Sequence, residues 1–444
     1  MSQTVQVAEI PMYDLVGVGF GPSNLALAIA VTELNAANGP AAEPVSAVFL
    51  ERQPSFGWHR GMLIEDATMQ VSFLKDLVTL RDPTSQFSFL CYLQQRGRLI
   101  DFINHKNLFP LRVEFHDYLE WAAVQVDDLV RYGHEVVEIT PLACDGVIEA
   151  FEVTARAAGG VVSSYRCRNL VLATGLRPVL PPGVAPSDRV WHNQSLLSNV
   201  ERLAGSSPSR FVVVGAGQSA AEVTAFLHER FPAAEVCAVF SRYGYSPADD
   251  SSFANRIFDP AAVDDYFGAP PEVKAMLLNY HGNTNYSVVD ADLIDVLYRR
   301  VYQEKVLGRS RLKLLNVSRL MGAQEAHGRV EVTIETLTTG ELSALETDVL
   351  VCATGYLPVD PFPLLGEVGA YCLRDESGRA AVERDYRLCT DPALLAGIYL
   401  QGGTEHTHGI TSSLLSNTAV RSGEILRSIV TARATHRPLS GARV

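Results

Sequence analysis

Tyr13-Asp-Leu-Val-Gly17-Val-Gly19-Phe-Gly21-Pro22-Ser23-Asn24, running on into LALAIAVTEL, is the stretch that decides the fold. A short apolar run, a cluster of glycines and an apolar-periodic segment predict a buried strand, a tight turn and a helix. Gly17 and Gly19 let the turn tighten and let backbone N–H groups approach a pyrophosphate, which then sits at the positive end of the helix. Gly21 and Ser23 belong to the same turn. The third glycine position of the fingerprint falls on Pro22, which the first helical turn tolerates. Taken alone, the motif reads equally well as a plain strand-to-helix turn. The next apolar strand, Ala47-Val-Phe-Leu50, ends at Glu51, an acid suited to accept from a ribose 2′-hydroxyl.

A second copy begins at Phe211-Val-Val-Val-Gly215-Ala-Gly217-Gln218-Ser219-Ala220 and is followed by the strand Glu235-Val-Cys-Ala-Val-Phe240. Here the strand leads into Ser241-Arg242 in place of an acid. A carboxylate would repel a 2′-phosphate, whereas a guanidinium can grip it bidentately, so the first site suits FAD and the second NADPH. Gln218 and Ser219 can bond phosphate or ribose, with helix capping the alternative for Ser219. Arg242 by itself also reads as a surface arginine at a strand end.

Two more apolar strands close on the same tripeptide, Ala173-Thr-Gly175 and Ala353-Thr354-Gly355, as where two-nucleotide flavoproteins pass the chain between domains beside the flavin. The expected class is α/β, with two Rossmann-like dinucleotide-binding domains and a smaller, mostly helical substrate-binding region. The expected division gives residues 1–200 and 341–444 to the FAD domain, 201–245 and 301–340 to the NADPH domain, and 246–300 to the substrate. Within it, Arg329-Val-Glu-Val-Thr-Ile-Glu-Thr alternates like an antiparallel strand, and Asp292 to Tyr302 has the period of an amphipathic helix.

The remaining composition narrows the function. The chain has 444 residues, 47% hydrophobic and 20% charged, enough for a sizeable core in two or three modules. Its formal net charge of −13, without a Lys/Arg run, argues against nucleic acid. No basic-then-apolar leader opens the sequence and no stretch has the length of a membrane span, so a cytoplasmic protein is expected. Seven cysteines stand singly, without zinc or thiol-redox spacing, and no metal is expected. The pair His406-Thr-His408 has no further ligand beside it at coordinating spacing.

Lys75 interrupts the apolar run Gln70-Val-Ser-Phe-Leu-Lys75-Asp76-Leu-Val-Thr-Leu80, where a bare ammonium is costly to bury. Its anionic partner is either Asp76 or a substrate carboxylate; composition does not choose. Asn255, in DDSSFANRIF, and Asn285, in NTNYS, offer amides to a zwitterionic amino acid, though loop asparagines usually form turns. No nucleophile and base pattern stands out.

Together these residues resemble the siderophore-associated N-hydroxylating flavin monooxygenases, specifically the L-ornithine N5-monooxygenases, over about residues 12 to 430. The carrying strings include DLVGVGFGPSNLALAIA, MQVSFLKDLVTLRDPTSQFSFLCYL, VVVGAGQSAAEV, DDSSFANRIFDP, NTNYSVVDADLI, VLVCATGY and EHTHGITSSLLSNTAVRSGEI. The resemblance implies that Lys75 and Asn255 hold the amino acid carboxylate and that Asn285 binds its α-amino end beside the nicotinamide ribose. It places Gln70 by the flavin and reacting oxygen, Ser416 near flavin and substrate amine, and Trp58 and His59 along the FAD site. NADPH would reduce FAD, the reduced flavin would capture O2 as a C4a-hydroperoxide, and the neutral terminal amine of L-ornithine would take the oxygen to give N5-hydroxy-L-ornithine for a hydroxamate siderophore or related metabolite. No protein nucleophile is needed; the protein orients and excludes water. A free alkylamine titrates near ~10.4, so the rate should rise with pH. Similar enzymes are often homotetramers. L-lysine N6-hydroxylation is one methylene away, which a pocket discriminates only modestly. A flavin-binding redox sensor without turnover is the alternative of another class. The FxGxxxHxxx(W/F/Y) fingerprint of Baeyer–Villiger and flavin-containing monooxygenases is absent around Gly175 to Ser195.

Overall fold

Continuous Val/Leu/Ile runs such as Leu15-Val16 and Phe211-Val-Val213, fully buried here, are what parallel strands covered on both faces require. The computed structural model describes residues 10–39 and 42–435. Strands β1 (Met12–Val18), β2 (Ala47–Glu51), β3 (Val130–Tyr132), β4 (His134–Cys144), β5 (Val147–Ala157) and β6 (Val162–Leu172) form the first sheet in the order β3-β2-β1-β6-β5-β4. Pairing is parallel from β3 through β6 and antiparallel from β6 to β4. After β7 (Leu176–Pro178) come β8 (Val190–His192), β9 (Arg210–Val214), β10 (Glu235–Val239) and β11 (Leu312–Leu315). An antiparallel sheet of β12 (Ser318–Ala326), β13 (Arg329–Thr336) and β14 (Glu341–Thr347) follows, then β15 (Val349–Cys352), β16 (Tyr356–Pro358) and β17 (Gly397–Leu400). The second main sheet is parallel throughout, in the order β11-β10-β9-β15-β8, and β17 returns to pair with β6. The expected α/β class with two Rossmann-like units is what the chain adopts, and short helices at 254–258, 260–268 and 271–281 form the mostly helical insertion. No helix among the described residues is long and apolar enough to cross a membrane.

The two units repeat each other down to single hydrogen bonds. Gly19 N–H donates to Leu50 O at 2.8 Å and Ala173 N–H to Val18 O at 2.9 Å; Gly215 N–H donates to Val239 O at 3.1 Å and Ala353 N–H to Val214 O at 2.8 Å. Gly19 therefore matches Gly215, and Gly21 matches Gly217. Both Gly19 (φ +82°) and Gly215 (φ +142°) lie where side chains are disfavoured, and a Cβ on either would come within 2.5 or 2.3 Å of the Ala173 or Ala353 carbonyl oxygen. The two Ala-Thr-Gly tripeptides thus act as the floors of the two glycine turns.

This register shifts the reading of the first turn by two residues. Gly17 lies within β1, outside the cleft described below, where a Cβ would meet the Phe49 ring at 2.2 Å. The third fingerprint position is Asn24, whose Nδ2 donates to Gly19 O at 2.7 Å, and Pro22 opens the helix Pro22–Asn38. Three glycines in alternation leave the register open in sequence; Phe49 and Ala173 fix it.

Sheet membership also moves the expected domain boundaries. β8 pairs with β15, so residues 190–200 belong with the second unit and not with the first. Ala291–Val306 packs on Gln218–Arg230 and leads into β11, so residues 291–300 are a crossover helix of the second unit and not part of the substrate region. β14 and β15 remain in the second unit, placing the return after Cys352 and not at Glu341. The two crossings are stitched together, because β7 and β16 pair antiparallel (Arg177 opposite Leu357).

Candidate active site

A continuous cleft of about 3600 Å³ runs between the units, lined by both glycine turns and both Ala-Thr-Gly floors. Pockets for one small ligand enclose roughly 300–1,000 Å³, so this space suits several molecules at once. At Gly21 a Cβ would meet nothing within 4 Å, leaving the backbone open to a ligand. Beside it lies Arg421, only 2% exposed, whose guanidinium donates to Ser412 O at 2.6 Å, Ser23 Oγ at 3.2 Å, Thr418 Oγ1 at 3.3 Å and Gln401 Oε1 at 3.4 Å. All are neutral, no ion pair forms among the described residues, and burial pushes its pKa down. A buried cation whose direct partners among the described residues are all neutral, beside a glycine turn, suits a pyrophosphate.

Around that turn, Glu51 uses its carboxylate first for the protein, accepting from Phe20 N–H at 2.7 Å and Gln53 N–H at 2.8 Å. Trp58 packs edge-on to His59, with centroids 4.6 Å apart, and both line the cleft. The His59 ring reaches solvent inside the concavity yet is walled in by protein. That desolvation, reinforced by the Arg112 charge, lowers its pKa to about 4, so it is a neutral imidazole at physiological pH.

In the second turn, the Gln218 amide is fully committed: Oε1 accepts from Asp290 N–H at 2.9 Å, and Nε2 donates to Asp290 Oδ2 and Glu222 Oε1, both at 3.1 Å. The cap position of this helix is Gly217, so Ser219 falls inside the first turn, where its side chain makes no hydrogen bond among the described residues and lines the cleft. Arg242 donates to Ser287 O at 2.9 Å and has no carboxylate partner among the described residues. Thr354 is tied to Val179 O, and Gly355 O accepts from the His192 ring at 3.0 Å, so these two support the crossing as well as lining the cleft.

The alternatives left open for Lys75 are separated by geometry. Asp76 is buried and turned away, accepting from the N–H groups of Val78, Thr79 and Phe89 at 2.7–3.0 Å. The Lys75 ammonium lies 5.4 Å from the Phe258 ring centroid and pairs with no carboxylate among the described residues. Burial lowers its pKa, opposed by Asp259. Phe258 ends the short helix that carries Asn255, which places that asparagine on the same side of the cleft; Asn255 Nδ2 donates to Asp250 O at 2.6 Å, leaving its oxygen free. The Asn285 side chain makes no hydrogen bond among the described residues, and Ser416, buried ahead of the helix Thr418–Thr435, likewise lines the cleft. Gln70 reaches across to Asp290. His406 and His408 do not join the site: their rings are bonded to the carbonyls of Ala380 and Arg384.

A family model described as L-lysine 6-monooxygenase/L-ornithine 5-monooxygenase matches residues 11–358. The chain belongs to this family. An L-ornithine N(5)-monooxygenase of Burkholderia cepacia is 44% identical over 405 residues, 90% of each chain. The structure of the ornithine N-hydroxylase of Kutzneria sp. 744 superposes with a TM-score of 0.91 at 48% identity, covering 95% of this chain and 100% of that one. An L-lysine 6-monooxygenase from Pseudomonas syringae reaches 0.83 at 31% identity, covering 95% and 99%.

In this monooxygenase several polar groups of the cleft escaped the sequence reading. Arg112 and Glu222 form a bidentate ion pair between the two units (2.8 and 2.6 Å), and Asp290 sits between Gln70 and Gln218. Tyr286 donates its hydroxyl to Glu405, joining the Asn285 loop to the C-terminal part of the flavin unit. Arg112, Glu222 and Asp290 are charged residues next to apolar stretches in LFPLRVEF, GQSAAEV and YSVVDADLI. That is the available signal, but their partners are far away in sequence.

Proposed function

We propose that this chain uses FAD, NADPH and O2 to hydroxylate the side-chain amine of L-ornithine, giving N5-hydroxy-L-ornithine, NADP+ and water. The observation that carries the reading is the Lys75 ammonium, half-buried in a cleft shared by two nucleotide turns and without a carboxylate partner among the described residues. An amino acid carboxylate completes it. Asn255 adds an amide to that carboxylate and Asn285 takes the α-amino end, which directs the side-chain amine toward Gln70 and Ser416. FAD, held at Gly19, Gly21, Ser23 and Arg421 with Trp58 and His59 alongside, supplies electron transfer from NADPH and activation of O2. Arg242 and Ser219 receive the NADPH phosphate and ribose groups. The protein's task is then to orient the amine, keep it unprotonated by exclusion of water, and hold the nicotinamide in place.

Ornithine is preferred to lysine because the ornithine-acting relatives are 44% and 48% identical against 31% for the lysine-acting one. Hydroxylamine formation from L-ornithine, L-lysine and putrescine, with Lys75→Ala alongside, tests the reading. Product from ornithine that is lost in Lys75→Ala supports it. Product from lysine alone moves the substrate by one methylene, and equal turnover of putrescine removes the carboxylate anchor. Flavin binding with no hydroxylamine from any amine favours the redox sensor. A cytoplasmic homotetramer is part of the same reading, and light scattering of the purified protein checks the assembly.

A further inference from the structure

Asp290 occupies the N-cap of the helix Ala291–Val306, where an aspartate ordinarily accepts from the helix's own first N–H groups. It does not cap. Its Oδ2 instead accepts from Gln70 Nε2 at 2.6 Å and from Gln218 Nε2 at 3.1 Å, while its backbone N–H donates to Gln218 Oε1 at 2.9 Å. Gln70 stands 220 residues away, in a segment pinned to the flavin unit through Met69 N–H to Pro110 O (2.8 Å) and Phe73 N–H to Leu108 O (2.9 Å). Asp290 thus spans the cleft from the nicotinamide side to the flavin side. The chemistry fixes more than distance: a carboxylate only accepts, so the Gln70 amide must offer its nitrogen to Asp290 and keep its oxygen for the cleft. Gln218 cannot substitute, because both ends of its amide are engaged.

We propose that Asp290 is a positioning residue that locks the Gln70 side-chain amide in one orientation, presenting Oε1 to the reacting centre as a fixed acceptor. This rests on the placement of Gln70 in the proposed function. Without the lock the amide turns over, and electrons from NADPH leave unproductively: O2 takes two electrons and two protons to give H2O2, in place of oxygen transfer to the amine with release of water.

The test measures hydroxylamine and H2O2 formed per NADPH oxidised, using FAD-loaded protein with L-ornithine. One ordered hydrogen bond corresponds to roughly a 2- to 12-fold effect, and Asp290→Ala, which removes the acceptor that Gln70 and Gln218 share, should lower the hydroxylamine yield by that factor while the FAD content stays near wild type. Gln70→Glu sets two carboxylates face to face and should uncouple as well. Combining Gln70→Glu with Asp290→Asn reverses donor and acceptor, restores the lock and should recover yield over Gln70→Glu alone. Full coupling in Asp290→Ala, or no recovery in the swapped pair, overturns the proposal. A wild-type protein that makes no hydroxylamine at all would instead bring down the ornithine reading, and this inference with it.

Discussion

Replacing Arg112 by Met should destabilise the protein through the charge it leaves behind more than through the contact it removes. Arg112 and Glu222 have side chains only 11% and 5% exposed and meet at 2.6 and 2.8 Å across the boundary of the two units. Arg112 also donates to Met62 O at 3.0 Å and Thr68 O at 3.3 Å. Breaking such a buried pair from one side costs about 3–5 kcal/mol. Here Glu222 retains a bond from Gln218 Nε2 at 3.1 Å, which holds the expected loss near the lower end, about 3 kcal/mol. The double variant Arg112→Met/Glu222→Leu removes both charges, leaves two backbone carbonyls short of a donor and takes one of two acceptors from Gln218 Nε2, so it should lose about 1–2 kcal/mol. The two sites should therefore couple by more than ~1 kcal/mol in a double-mutant cycle. Urea unfolding of the FAD-loaded protein, followed by tryptophan fluorescence and circular dichroism together, supplies the free energies where the two probes coincide. A single variant costing under ~1 kcal/mol, or a double variant less stable than Arg112→Met, would refute the reasoning.

Two further outcomes follow from the site and its surroundings. If Arg242 binds the 2′-phosphate, Arg242→Ala should raise KM for NADPH by roughly 10- to 150-fold, the worth of charge-assisted hydrogen bonds, and leave NADH oxidation unchanged; steady-state kinetics with both nucleotides decide it. His408 is 1% exposed and stacked on Tyr386 with centroids 4.1 Å apart, and burial, against the bond to Arg384 O, lowers its pKa to about 4. Its unfolded counterpart takes up a proton near pH ~6.5, so between pH 6.5 and 4 the unfolded chain binds more protons and stability falls as pH falls. The full contribution is on the order of 3 kcal/mol, present above pH ~6.5 and lost progressively toward pH ~4. Thermal melts at pH 7, 5.5 and 4.5 should show a smaller acid loss in His408→Gln than in wild type; parallel curves would rule this residue out as the source.

The sequence by itself determined the two strand-turn-helix openings and the α/β class, since these follow from local hydrophobic period and turn chemistry, whereas the expected substrate residues were reached only through the family resemblance. The tertiary structure decided what depends on pairing between distant segments. Gly17, Gly19 and Gly21 alternate with the period of a strand, so only the Phe49 ring and the Ala173 carbonyl could show which of them form the turn. β15 reads in sequence like the strand before Ala173, yet its partners are β8 and β9, which moves the return crossing to residues 353–358. Asp76 follows Lys75 directly, but the backbone N–H groups of Val78, Thr79 and Phe89 claim its carboxylate and leave the ammonium without a carboxylate partner among the described residues. Asp290 and Gln70, with 220 residues between them, meet only once both units have packed, and no local pattern encodes a hydrogen bond across that separation.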